Sequence, residues 1–422
     1  MLLQDIAVAF TQDGDRRVLH DVDIRVEDGR IDAIGPDLAG SPVRDCSRMI
    51  ALPGFINCHT HTGGMLARGQ CTDSKLFPWI ASHQDLMHAA DPDVVRSGVR
   101  LSITEALRSG TTYVNDMWNR EAAEATEEMG IRAVSGPTLY TDLLGHSSGS
   151  VEGMMDRARS FIDCFDDSDG IVPAVTPHAT YTCSRELLLE AHQLAERFDT
   201  PFHIHLAETE QEVGQIREQY GMTPAAWLDD LGLLDDRTIA AHCVHLSERD
   251  IELFRRREAS IAHCPQSNMS LGSGVADVPA LDGIDIGIGT DGAGSSGGYS
   301  MIEEAKTASL LQKLEDPTTM EPQEVLDMMT CDAAAVLGME GKIGSLEEGK
   351  QADIVLIDME HPQLTPRHGA RGLLANLVYS YQGPVDTVLV GGSIRVDDGA
   401  VREVDIEGSQ DRVQRFLDGF HG

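Results

Sequence analysis

Leu52-Pro-Gly-Phe-Ile-Asn57-Cys-His59-Thr-His61 decides the reading of this chain. A short apolar run, too brief for a helix, ends in two histidines spaced i, i+2. On a strand that spacing puts both imidazoles on one face. Seven further runs of the same kind follow: Thr111–Asn115, Ile131–Ser135, Ile171–Thr176, Pro201–His205, Thr238–Ala241, Ser260–His263 and Ile284–Gly289. Stretches with helical periodicity lie between them, such as Val94–Arg108, Arg185–Arg197 and Glu248–Arg256. Eight alternations of strand and helix predict an α/β fold, a (β/α)8 TIM barrel.

Outside the alternating region the pattern changes. Asp23 to Arg30 alternates apolar and polar residues, and Asp28-Gly29 predicts a hairpin turn before Ile31. Ala352–Ile357, Thr387–Val390 and Ser393–Val396 read as strands separated by the turn signals Gly391-Gly392 and Asp398-Gly399. The expected organisation is a small β-sandwich domain built from both chain termini, residues 1–53 and 344–422, around a barrel over residues 54–343.

In such a barrel the chemistry sits where the strands end. His59 and His61 follow the first run, Asn115 and Asp116 the second, and His178 the fourth. His205 ends the fifth, with Glu208 just beyond; His242, His263 and Asp291 follow the sixth, seventh and eighth. Two imidazoles on one face, a third histidine and a carboxylate form a mixed N/O donor set that suits zinc, with iron or manganese as alternatives. His203 and His205 share i, i+2 spacing; His205 lies nearer the rim and is preferred as the ligand, with His203 packed behind it. Likewise His242 ends its run, and His245 opens the following loop. A structural role is expected for His263.

Composition sets the remaining limits. A formal charge of −36 repels phosphate backbones and anionic lipids. It reads as a halophilic composition, and neither nucleic acid nor membrane is expected as a partner. The eight cysteines form no Cys-x-x-Cys pair and read as reduced packing residues. The N-terminus lacks a basic, then apolar leader, and no run of about 18 apolar residues occurs. A cytoplasmic enzyme is expected, assembled as a homo-oligomer.

Taken together, Pro53-Gly-Phe-Ile-Asn-Cys-His59-Thr-His61, His205-Leu-Ala-Glu208-Thr, Ala241-His242-Cys-Val-His-Leu, His263-Cys-Pro-Gln-Ser-Asn268 and Gly289-Thr-Asp291-Gly resemble the amidohydrolase superfamily. They are most similar to the branch of methylthioadenosine/S-adenosylhomocysteine deaminases, guanine deaminases and triazine chlorohydrolases. Gly344-Ser-Leu-Glu-Glu-Gly-Lys-Gln-Ala-Asp353 resembles the family's return into its small domain.

The resemblance implies one divalent metal ion, Zn2+ before Fe2+ or Mn2+, bound by His59, His61, His205 and Asp291. It implies Glu208 as proton shuttle, His242 as the group orienting water or substrate, and His178 and Trp79 as substrate contacts. The implied reaction is hydrolytic deamination of an amino-substituted N-heterocycle, an adenosine-type nucleoside or nucleobase. Metal-activated water adds to the ring carbon and ammonia leaves. Hydrolysis of chloride or an amine from a triazine-like ring is the alternative. The specificity loops depart from the adenosine-type pattern. No glutamate follows Trp79 within Ile80–His88, and no arginine occurs in Gly136–His146.

Overall fold

The computed structural model describes residues 1–314 and 316–421. The chain divides into two compact units. One comprises residues 1–57, 104–113 and 300–404; the other comprises residues 58–103, 114–299 and the chain from 405 on.

The first unit is organised by a nine-stranded sheet. Leu2–Phe10 pairs antiparallel with Val18–Glu27, which pairs with Arg30–Gly35 through the turn at Asp28-Gly29. On its other side Leu2–Phe10 runs parallel to Met49–Pro53. Met49–Pro53 is antiparallel to Ile354–Asp358, with Pro53 opposite Ile354 and Ala51 opposite Leu356. Thr387–Val390, Ser393–Asp397 and Ala400–Val401 extend the sheet beyond. The period-two pattern explains its core. Ile24, Val26 and Ile31 turn inward against Leu3, Ile6, Ile354, Leu356 and Leu389, whereas Arg25 and Glu27 point to the opposite face. Full burial of each such apolar side chain contributes about 1.5–3 kcal/mol.

Elsewhere short buried strands alternate with helices. Phe202–Leu206, Thr238–His242, Ser260–His263 and Ile286–Ile288 form a four-stranded parallel sheet in that order. A five-stranded sheet has the order Ile171–Pro173, Arg132–Leu139, Thr111–Trp118, Phe55–Thr60, with Thr176–Pro177 also on Arg132–Leu139. Isolated parallel bridges Val175↔Phe202 and Ala179↔His205 link the sheets at one edge, and Thr60↔Asp291 links them at the other. The strands are buried along nearly their whole length, which is why they read as continuous apolar runs.

Two of the expected strands are interrupted. The run expected over Leu52–Asn57 breaks at Gly54. Met49–Pro53 joins the nine-stranded sheet, and Phe55–Thr60 starts afresh. A Cβ at position 54 would lie 2.1 Å from Thr112 Oγ1, so only glycine fits the break. The run expected over Ile171–Thr176 is split into Ile171–Pro173 and Thr176–Pro177. Each piece ends at a proline, which has no N–H for the ladder.

The last helix, Ile406–His421, sets Val413, Phe416 and Leu417 against Leu66, Leu86 and Val94. Among the described residues none of the eight cysteines forms a disulfide. Among the described residues no helix is long and apolar enough to cross a membrane.

Candidate active site

Strand ends bring the sequence-selected side chains together. His59 lies in Phe55–Thr60 and His61 one residue past it; His205 lies in Phe202–Leu206, His242 ends Thr238–His242, and Asp291 follows Ile286–Ile288. Potential donor atoms of His59, His61 and Asp291 lie within 4.8 Å of one another, as do those of His59, His205 and His242. Asp291 Oδ1 is 3.4 Å from His61 Nε2 and 3.6 Å from His59 Nε2.

The tautomers can be read from the neighbours. His61 Nδ1 donates to the Met117 carbonyl at 2.7 Å, and His205 Nδ1 donates to the His178 carbonyl at 2.6 Å. A carbonyl only accepts, so in each neutral ring the proton is on Nδ1 and the lone pair on Nε2. Those two Nε2 atoms are 3.1 Å apart. Two lone pairs facing each other at that distance repel, and a cation between them removes the repulsion. With the Asp291 carboxylate alongside, the donor set fits a divalent metal, zinc in particular.

Electrostatics agree with that fit. Burial drives His59 down to about 3 and His205 well below the usual imidazole range, so both are neutral, the state in which an imidazole can bind a metal. Burial alone would raise the Asp291 carboxyl; hydrogen bonding to His59 and the surrounding imidazoles outweigh it and hold Asp291 well below the usual range. Its Oδ2 accepts from Ser267 Oγ at 2.6 Å and Ser295 Oγ at 2.9 Å, and its Oδ1 accepts from the Gly292 N–H at 2.7 Å.

Glu208 is buried beside this cluster. Its Oε1 accepts from Ser273 Oγ at 3.3 Å, and its Oε2 is 3.9 Å from His242 Nε2. Burial raises the Glu208 carboxyl above its ordinary value. Burial lowers His242, but the Glu208 and Asp291 carboxylates more than offset that and leave it raised. His242 Nδ1 pairs with Asn268 Oδ1 at 2.9 Å, which turns Nε2 toward Glu208. Ala207, His242 and Asp291 have positive φ values of 50°, 74° and 57°. Left-handed backbone at non-glycine residues costs about 1–3 kcal/mol each and concentrates at functional sites.

A cavity of about 750 Å³ opens from His61, with Trp79, Gln84, Met87, His88 and His178 among its walls. Trp79 Nε1 donates to the Gly294 carbonyl at 3.2 Å, and His178 Nδ1 pairs with Thr182 Oγ1 at 3.0 Å. Asp85, the one carboxylate in the Ile80–His88 stretch, is not among the lining residues; Gln84 and His88 are.

The histidines with alternative readings separate by geometry. His203 Nε2 sits 3.0 Å from His59 Nδ1, behind the cluster. His245 Nε2 donates to the Ser273 carbonyl at 2.7 Å. His263 is buried and belongs to neither donor cluster. Sequence reasoning did not select Ser267, Asn268, Ser273 or Ser295. Ser267 and Asn268 lie within the motif His263–Asn268, the one signal that pointed to them.

The amidohydrolase family model matches residues 50–395. The chain is 36% identical over 410 residues to a 5'-deoxyadenosine deaminase from Methanocaldococcus jannaschii, covering 94% of this chain and 96% of that one. It is 39% identical over 400 residues to a 5-methylthioadenosine/S-adenosylhomocysteine deaminase from Desulforudis audaxviator, covering 91% of each. A crystal structure of an adenosine deaminase from Xanthomonas campestris with bound zinc superposes with a TM-score of 0.93 at 32% identity, covering 100% of this chain and 98% of that one.

Proposed function

The chain belongs to the amidohydrolase family, and on that premise we propose that it is a zinc-dependent deaminase that replaces the amino group of an adenosine-type heterocycle with a hydroxyl. The observation that carries this reading is the facing pair of Nε2 lone pairs on His61 and His205, with Asp291 and a raised Glu208 beside them. The alternation of strands and helices, with bridges at both sheet edges, supports a (β/α)8 barrel over residues 54–343, with the small β domain drawn from residues 1–53 and 344–404; the helix Ile406–His421, expected with that domain, falls in the other unit.

In this reading His59, His61, His205 and Asp291 would hold the metal, which would supply the activation that makes water nucleophilic at neutral pH. Asp291 accepts the proton that the attacking water gives up. Glu208, whose burial favours the protonated form, donates to a ring nitrogen, and the adjacent carbon becomes electrophilic. His242, held through Nδ1 by Asn268, keeps its Nε2 on the side of Glu208 and orients the attacking water. The amino nitrogen leaves as ammonia after taking the proton held by Asp291, and the remaining proton of the added water returns to Glu208. His178 and Trp79 line the cavity where the ring would bind.

An ammonia-release screen of the zinc-loaded protein across aminated purines, their nucleosides, pterins and triazines tests the reading. It should be run at high salt, which screens the −36 charge. Ammonia from an adenosine-type compound is the expected result. Chloride release from a halogenated triazine with no ammonia from any member of the panel overturns it.

A further inference from the structure

We propose that Glu212 is a positioning residue for Glu208: its buried carboxylate ties the main chain at Glu208 to the loop that carries His178. The proposal rests on the deaminase reading of Glu208.

Glu212 is the third residue of the helix Glu210–Tyr220, whose N-cap is Thr209. Thr209 Oγ1 accepts from the Glu212 N–H at 3.1 Å, as an N-cap does. A glutamate at this position ordinarily reaches back to the N–H of the cap residue itself. Glu212 reaches one residue further. Its Oε2 accepts from the Glu208 N–H at 2.8 Å, and its Oε1 accepts from Thr180 Oγ1 at 2.8 Å. Neither bond completes the usual cap; both go to segments that carry site residues.

Those two segments leave their strands at this point. Glu208 follows Ala207, whose φ is 50°. Thr180 follows the bridge Ala179↔His205 and precedes Thr182 by two residues, whose hydroxyl pairs with His178 Nδ1 at 3.0 Å. One carboxylate, fully buried, therefore joins the turn bearing the proton shuttle to the turn bearing a substrate contact. No arginine or lysine pairs with Glu212 among the described residues, and burial pushes its carboxyl up to about 7. An ion buried with only neutral donors is a poor choice for stability alone, and a neutral amide is a fair mimic of the protonated acid.

The test compares Glu212→Gln with Glu212→Met. Glutamine can accept from the Glu208 N–H through its oxygen and donate to Thr180 Oγ1 through its nitrogen. Methionine has similar length and makes neither bond. Glu212→Met is expected to lower kcat by about ten- to a hundredfold with KM within about twofold, because Glu208 serves the chemical step. Glu212→Gln is expected to hold kcat within about threefold of the parent. Crystal structures give a second readout independent of turnover. Glu208 should leave Ser273 Oγ in Glu212→Met and stay beside it in Glu212→Gln. Undiminished kcat in Glu212→Met, an equal loss in both variants, or an unmoved Glu208 in Glu212→Met overturns the proposal. Should Glu212→Met fail to fold, Thr180→Val removes one of the two bonds from a different element and must lower kcat without raising KM. If the parent protein releases no ammonia, the deaminase reading fails, and the position of Glu208 in the crystals alone decides the role of Glu212.

Discussion

Replacing His203 with phenylalanine separates the affinity for metal from the stability of the fold. For His59 to present Nε2 to a metal, its Nδ1 must carry the proton and needs an acceptor. His203 Nε2, 3.0 Å away and fully buried, is that acceptor. Phenylalanine nearly preserves the ring volume and removes the lone pair. His203→Phe thereby strands a donor in the interior, which costs about 1–3 kcal/mol. That range corresponds to roughly a ten- to hundredfold loss in zinc affinity. The metal-free fold should change little, since His203 Nδ1 has no partner among the described residues and its burial cost disappears with the substitution. The assay is zinc competition against a chromophoric chelator, with denaturation of the stripped proteins as the control. Zinc affinity within about threefold of the parent refutes the tautomer argument.

Glu208→Gln is expected to keep its zinc and lose about 10²–10⁴ in kcat, measured as ammonia release beside metal content; turnover near the parent's removes Glu208 from the mechanism. Gly294→Ala places a methyl 2.8 Å from Ala67 Cβ and 3.0 Å from Trp79 Cζ2, so Trp79 must shift and KM should rise several-fold, with kcat less affected. An unchanged KM would mean that Trp79 does not contact the substrate. Because burial raises Glu212 to about 7 from 4.5, the folded chain holds this proton more tightly than the unfolded chain. The stability this provides is fully present below the unfolded value and is lost as pH rises through the folded one. The parent should therefore lose stability relative to Glu212→Gln over that window, by at most about 3 kcal/mol. Denaturation of both proteins from about pH 4 to pH 8 measures it, and a constant difference contradicts the shift.

Much of the site's geometry could be read from spacing. His59 and His61 at i, i+2 had to share a face, and apolar runs ending in His205, His242 and Asp291 had to deliver those groups to strand ends. The different depths of His203 and His205 along one strand were legible: the rim-side histidine meets His61 and the deeper one meets His59 from behind. What the spacing could not carry are contacts between residues far apart in sequence and of unremarkable type. Asn268 aligns His242, Ser267 and Ser295 hold Asp291, and the Met117 carbonyl fixes the His61 tautomer. Serine, asparagine and a backbone carbonyl carry no periodic signal. Strand ends were equally opaque where proline or a crowded glycine intervenes, as at Pro173 and Gly54.

The nine-stranded sheet has a consequence for the chain's birth. Met49–Pro53 finds its partner in Ile354–Asp358, after most of the polypeptide has been made. At about 5–20 residues per second, a nascent chain offers this half-sheet to its surroundings for roughly 15 to 60 s before the matching strand is made. Leu3, Ile6, Ile24 and Ile31 can gather in the early hairpin, but Leu356 and Leu389, which close over them, arrive last. Newborn chains in a crowded polysome are therefore most vulnerable to sticking together at this edge.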